Sequence, residues 1–415
     1  MATVLLIGTL DTKGPETRYL RDRIRELGCM TIVLDSGILG EADGIEADFD
    51  RREVAKAAGS TIEQLRNAGS RGKAVEQMLK GVRKISVELF EQARVHGVVA
   101  LGGAEGSVLA TAAMQALPLG VPKLIVSPIA SGKRTFGPFV GTKDILVMHS
   151  VVDILGLNSI ARQVFATAAA AVSGMAQAFE KHTAGMATEF FRPQIAATML
   201  GNTTRPLMTM RPQLETAGFD LVLYHANGVG GAAMEEIFGQ RPFKGVIDYT
   251  LSELAGEVAG GFHNAGETRL LGAGSRKIPQ VVVPGCVDFI VFGAKHEVPE
   301  ALRGRPSYYH NPEFTLVRVS KDEQLQIARN IAARLNKSLG PVEVLVPTRG
   351  LSIPNTAKNQ NGVPGEFWDP AIDAAFRAEL KQGLRAGIAY REFDAHINDE
   401  PFVKAVLETA LKLFA

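Results

Sequence analysis

The sequence predicts an α/β protein made of two Rossmann-like, doubly wound domains with mainly parallel sheets. Three observations predict it. Apolar runs of roughly 4–8 residues alternate with amphipathic stretches, the pattern of parallel strands joined by helical crossovers. Runs such as Gly97-Val98-Val99-Ala100-Leu101 and Lys123-Leu124-Ile125-Val126-Ser127 lack polar alternation, which marks strands buried on both faces. A chain of 415 residues also exceeds one ordinary core. The expected domains are 1–185 and 195–415, divided where Gly185 and Arg192-Pro193 break the helical pattern.

In the first half, strands are expected near 3–8, 30–34, 97–101 and 123–127. Helices are expected near 15–27, 71–95, 106–116 and 158–181. The last is alanine-rich and apolar on much of its surface, as in a core helix or a subunit contact. The second half places strands at 195–200, 219–225, 244–248, 280–284, 314–318, 342–346 and 386–390. Its helices are expected at 206–217, 230–239, 250–258, 321–337, 370–381 and 399–414. No clear sequence repeat relates the halves.

Composition narrows the class. Hydrophobic residues make up 46% and charged residues 21%, as in a globular protein. The net charge of +1 gives no reason to expect nucleic acid or an acidic membrane as partner. No run of about 18 apolar residues would span a membrane. Cys29 and Cys286 are too few for a disulfide framework, which points to the cytoplasm.

The candidate chemistry lies in turns that follow strands. Gly8-Thr9-Leu10-Asp11-Thr12-Lys13-Gly14 joins the first strand to a helix opening at Pro15. Such turns sit at the carboxyl edge of a parallel sheet, and free amides at a helix start favour an anion. Thr9 and Thr12 offer hydroxyls, Lys13 a cation, and Asp11 a partner for ribose or a Mg²⁺ water, or else a helix cap. Gly102-Gly103-Ala104-Glu105-Gly106-Ser107 is a second such turn, in which glycines admit phosphate oxygens and Ser107 adds a hydroxyl. The loop 128–142 can close over a nucleotide with Ser131, Lys133 and Thr142. It is not a P-loop, because only Gly132 and Lys133 match that spacing.

In the second half, Gly228-Val229-Gly230-Gly231-Ala232-Ala233 fits G-x-G-x-x-[GA], and Asp248 follows at the next strand end. That is the layout of a dinucleotide fingerprint, or of a turn for another phosphate or carboxylate. His225, Asn227, Asp248, Asp288, Arg349 and Ser352 fall at strand ends, with Glu253 close by. His225 with Asp248 and Glu253 could perform acid–base work or hold a metal, while Asn227, Gly228, Gly230, Gly231, Arg349 and Ser352 bind an anionic substrate. Cys286 could be a nucleophile or a small buried hydrophobe. His263 and His310 are the best functional candidates among the other histidines.

Gly-Thr-Leu-Asp-Thr-Lys-Gly (8–14), Val-Gly-Thr-Lys-Asp-Ile (140–145), Ser-Val-Val-Asp-Ile-Leu-Gly-Leu-Asn (150–158), His-Ala-Asn-Gly-Val-Gly-Gly (225–231), Val-Pro-Gly-Cys-Val-Asp-Phe (283–289) and His-Ile-Asn-Asp (396–399) resemble the Tm-one-like ATP-binding family. This bacterial and fungal family has plant relatives that include a tobamovirus resistance protein. The resemblance spans nearly the whole chain. It implies two Rossmann-like domains, nucleotide binding by the first, and a homodimer. It carries ATP binding onto Thr9, Asp11, Gly102, Gly103, Ser107, Gly141 and Thr142. Lys133-Arg134 depart from the family pattern, which usually has an acidic or small residue there.

The expectation is therefore an ATP-binding protein, with Mg²⁺ bridging the phosphates and a small-molecule cleft between the domains. Such a protein could transfer or ligate onto a small carboxylate or carbonyl substrate. The alternatives are a non-catalytic, nucleotide-gated interaction module and an NAD(P) oxidoreductase using Gly228, Gly230 and Asp248.

Overall fold

The structure is a computed structural model describing residues 1–130, 137–185 and 192–415. The chain divides into two units, Met1–Glu189 and Phe190–Ala415.

Unit 1 runs β1 (Thr3–Gly8), α1 (Leu10–Glu26), β2 (Met30–Asp35), α2 (Arg51–Ala57), α3 (Ile62–Arg66), α4 (Arg71–Glu91), β3 (Gly97–Leu101), α5 (Ala104–Ala116), β4 (Lys123–Ser127), α6 (Gly137–Val140), β5 (Leu146–His149) and α7 (Ser159–Gly185). Its five strands are parallel, in the order β2-β1-β3-β4-β5. Successive side chains of a strand point to opposite faces. Leu5, Ile7, Val98, Ala100 and Ile125 accordingly meet α2 to α5 on one face. Val4, Leu6, Val99, Leu101, Leu124 and Val126 meet α1 and α7 on the other. That double burial is why these strands carry no polar alternation.

Unit 2 runs β6 (Gln194–Met199), α8 (Thr204–Thr216), β7 (Asp220–His225), α9 (Val229–Ile237), β8 (Gly245–Thr250), α10 (Ser252–Ala259), α11 (Gly272–Ser275), β9 (Gln280–Gly285), β10 (Phe289–Phe292), β11 (Ser307–Asn311), β12 (Phe314–Arg318), α12 (Lys321–Leu335), β13 (Val342–Pro347), α13 (Pro370–Gly383), β14 (Ala389–Phe393) and α14 (Glu400–Phe414). Six parallel strands lie in the order β7-β6-β8-β9-β13-β14. Counted within its own unit, this order is 2-1-3-4-5-6, and that of unit 1 is 2-1-3-4-5. The two halves thus repeat one topology without a visible sequence repeat. The order reverses between strands 1 and 3, the crevice where open α/β sheets bind ligands.

Several expectations change. Helix α1 starts at Leu10, with a non-helical Lys13 (φ −132°, ψ 21°). A single turn thus precedes the break, and Pro15 opens the continuous helix. The run 314–318 is a strand, but it belongs to a separate antiparallel sheet, β10-β12-β11. Helix α7 is a core helix: Ala161, Phe165, Ala168, Ala169, Val172 and Ala176 are buried within unit 1. That stripe is therefore not available to a subunit contact. Among the described residues, no helix is long and apolar enough to cross a membrane.

Candidate functional site

The loops after β1, β2 and β3 enclose a cavity of about 670 Å³ at the carboxyl edge of the unit 1 sheet. Thr9, Asp11, Thr12 and Lys13 come from the first loop, Gly37 to Gly40 from the second, and Gly103 to Gly106 from the third, with Arg71 at the start of α4. This is the reversal point between β1 and β3.

The walls are positioned by buried charge. Asp35, at the end of β2, accepts the Leu10 N–H at 3.1 Å and the Gly37 N–H at 2.9 Å through Oδ1. Its Oδ2 accepts Arg51 Nε at 2.8 Å. Both side chains are buried, so one ion pair ties two cavity loops together. Asp11 Oδ2 accepts the Gly40 N–H at 3.0 Å and lies 3.8 Å from Arg51. Asp11 therefore braces the second loop rather than capping α1. Thr9 and Thr12 share a hydroxyl–hydroxyl contact of 3.0 Å.

The third loop supplies amides. Gly103 is the N-cap residue of α5 and makes no side-chain cap. The first-turn N–H groups of a helix have no intrahelical partner, so those of Ala104, Glu105 and Gly106 are available to an anion. An added Cβ at Gly103 would meet nothing within 4 Å, whereas one at Gly102 would lie 2.6 Å from the Gly106 carbonyl carbon. Gly102 is thus required by the turn itself. Ser107 is corrected likewise: its hydroxyl is buried, donating to Gly102 O at 3.0 Å and sharing a 2.8 Å bond with Ser127. Gly141 and Thr142 do not line the cavity; Gly141 (φ +58°) packs near Gln115. Ser131 and Lys133 lie outside the described residues. Sequence reasoning missed Asp35, Gly37 to Gly40, Arg51 and Arg71. The signal was Asp35-Ser36-Gly37-Ile38-Leu39-Gly40, another glycine-bearing turn after a strand.

In unit 2 the glycine fingerprint has an internal occupant. Glu253 Oε1 accepts the N–H groups of Gly228 at 2.8 Å and Gly231 at 2.9 Å, and Asn227 Oδ1 accepts that of Gly230 at 3.2 Å. These are the amides a pyrophosphate would need. Glu253 Oε2 also receives Arg269 Nε at 2.6 Å, and Arg269 grips Asp248 with two bonds of 2.5 Å. Glu235 completes the cluster at 3.2 Å. Burial holds the Glu235 carboxyl above its ordinary value, although Arg269 opposes this.

Asp248 and Glu253 are thus not exposed acid–base groups beside His225. They are buried partners of Arg269, and Asp248 cannot reach a ribose. The anionic-substrate role expected of Gly228, Gly230 and Gly231 fails for the same reason. Ser352 is buried and donates to Asp288 at 2.6 Å, while exposed Arg349 pairs with Asp394 at 2.5 Å. Neither joins His225. Burial pushes the Cys286 thiol well up, so it behaves as a small hydrophobe.

His225 and Asn227 instead line a separate cavity of about 250 Å³, together with Asn202, His263, His310, Asn311 and apolar side chains. Burial first, and His225 second, lower the pKa of His263 to about 4. An unfolded histidine titrates near 6.5. Below that pH the unfolded chain takes up the proton first, so the associated loss of stability begins below pH 6.5 and is complete below about 4. His263→Phe should flatten this fall by on the order of 2–3 kcal/mol, read from urea unfolding midpoints between neutral and acid pH. Equal slopes in both proteins would refute the burial effect. Among the described residues, no group of three His, Cys, Asp or Glu side chains is arranged to hold a metal ion.

Fold and sites together define a two-unit, doubly wound α/β protein, with an open glycine-turn cavity in unit 1 and an imidazole-lined cavity in unit 2. The chain belongs to the UPF0261 family: the N-terminal domain of that uncharacterised protein family matches residues 2–181 and its C-terminal domain residues 192–414. A UPF0261 protein of Clostridium tetani is 37% identical over 99% of this chain and 98% of its own length. The ToMV resistance protein Tm-1(GCR237) of Solanum lycopersicum is 30% identical over 99% of this chain and 55% of its own length. A solved Streptomyces glycosyltransferase, complexed with thymidine diphosphate, aligns at 11% identity over 69% of this chain and 83% of its own, with a TM-score of 0.19.

Proposed function

We propose that unit 1 binds a nucleotide, ATP foremost, in the cavity between the β1 and β3 loops. The observation carrying this reading is the open α5 N-terminus at the reversal point of the strand order. The cavity volume of about 670 Å³ falls within the range of small-molecule sites. The amides of Ala104 to Gly106 would take phosphate oxygens, with Lys13 and Arg71 as nearby cations. Leu39, 66% exposed on the cavity wall, offers an apolar surface to the base. Mg²⁺ would be held mainly by phosphate oxygens and water, since Asp11 already serves Gly40 and Glu105 pairs with Arg71. The reading is one of binding, because the carboxylates that line this cavity, Asp11 and Glu105, are already paired with Gly40 and Arg71. Homodimerisation belongs to the same proposal and is checked by sedimentation at two protein concentrations.

Calorimetric titration with ATP, ADP, NAD⁺ and inorganic phosphate, with and without Mg²⁺, tests it. Gly103→Trp should abolish ATP binding with little change in unfolding midpoint, because the backbone there (φ −68°, ψ −160°) suits any residue and an added Cβ is unopposed. Leu39→Ser, which removes the apolar surface without adding charge, should weaken ATP by about tenfold, near 1.4 kcal/mol, while leaving phosphate unaffected. Binding of NAD⁺ alone, or ATP binding that survives Gly103→Trp, would overturn the assignment.

A further inference from the structure

The second cavity is independent of the first and lies wholly within unit 2. Its polar wall has one consistent character. Asn202 Oδ1 accepts the Ile353 N–H at 2.9 Å, Asn227 Oδ1 accepts that of Gly230 at 3.2 Å, and Asn311 Oδ1 accepts those of Glu313 and Phe314, each at 2.9 Å. A backbone N–H only donates, so the side-chain oxygen must face it and the NH₂ remains the free end. Three asparagines on the wall are thus fixed as donors. Three imidazoles, His225, His263 and His310, stand with them. His263 Nδ1 is buried and has no hydrogen-bond partner among the described residues, a cost that a ligand atom would remove. Leu200, Phe289, Val291 and Leu316 form an apolar side. Among the described residues that line it, none is Lys, Arg, Asp or Glu.

Donors without a fixed cation suit a monoanion with few oxygens better than a phosphate, which recruits Arg or Lys. A volume of about 250 Å³ lies below the range of drug-sized sites and excludes a dinucleotide. We infer that this cavity is a binding site for a small organic monocarboxylate with an apolar or aromatic body. Its carboxylate meets the asparagine amides and His263, and its body lies against Phe289 and Leu316.

The test is ligand-observed saturation-transfer NMR on the full chain with benzoate, phenylacetate and phenylpyruvate. Phenylacetamide, inorganic phosphate and Zn²⁺ are the comparators. At least one carboxylate should bind in a saturable manner, and its neutral amide should bind at least about tenfold more weakly, a difference of 1.4 kcal/mol. His263→Phe and the exposed His225→Ala should each reduce carboxylate binding by a similar factor. Because His225 is exposed, His225→Ala keeps the test valid if His263→Phe disturbs folding. The site assignment is overturned if none of the three carboxylates binds, or if binding is unchanged in His225→Ala. Equal binding of phenylacetamide, or preferential response to phosphate or Zn²⁺, overturns the ligand class.

Discussion

Arg269→Met should destabilise unit 2 by about 3–5 kcal/mol, the usual cost of removing one partner from a buried ion cluster. Arg269 is fully buried and, among the described residues, is the one cation paired with the three buried carboxylates Glu235, Asp248 and Glu253. Without it, those acids must be protonated or hydrated inside the fold. Glu253 would also lose the contact that steadies it under the amides of Gly228 and Gly231. Glu253→Gln, which keeps one oxygen for those amides, should cost less than Arg269→Met. Guanidinium unfolding of both variants checks this ranking. An unchanged midpoint for Arg269→Met would remove the basis for treating the cluster as the organising element of the α9 turn.

The second large effect is expected at Asp35. Asp35→Ala strips Arg51 of its buried partner and leaves the Leu10 and Gly37 amides without their acceptor, so a loss of about 3–5 kcal/mol is expected. Because those amides belong to the β1 and β2 loops, the proposed ATP binding should weaken by about tenfold or more, above 1.4 kcal/mol. The double variant Asp35→Leu/Arg51→Met should recover part of the stability, since apolar residues of similar volume replace the pair without stranding a charge. It should not recover binding. Recovery of both together would mean that the ion pair supports the fold without shaping the cavity.

These two clusters mark the limit of what the sequence conveyed. The doubly wound plan was legible because parallel strands buried on both faces leave long apolar runs, as at 97–101 and 123–127. The turn at 8–14 and Gly103 were legible because strand–glycine–helix order is local. The partnership of Arg269 with Asp248, Glu253 and Glu235 was not, because it joins residues from three elements, and a lone arginine in a loop reads as surface charge. For the same reason Glu253 read as a free catalytic acid, although the fold places it on the glycine turn. Strand β5 was missed because four residues, Leu146 to His149, sit at an open sheet edge with little burial pattern. The β10-β12-β11 sheet was missed because alternation of strands and helices carries no signal for an antiparallel insertion. Asp35 was overlooked because its acceptor role depends on Leu10, a contact that crosses to a neighbouring strand.

The Glu253 carboxylate has a consequence for how the two halves respond to their surroundings. It is an anion supplied in cis, present at an effective concentration set by the fold rather than by the solution. The Gly228 and Gly231 amides are therefore paired without any solute. Raising inorganic phosphate should add nothing to its stability, whereas any phosphate-binding turn gains RT ln(1 + [L]/Kd). Hydrogen exchange of the Gly228 and Gly231 amides should therefore be indifferent to phosphate, while protection of the Ala104 to Gly106 amides should rise with it. The glycine turn of unit 2 carries its anion within the chain, whereas the proposed site of unit 1 would take one from solution.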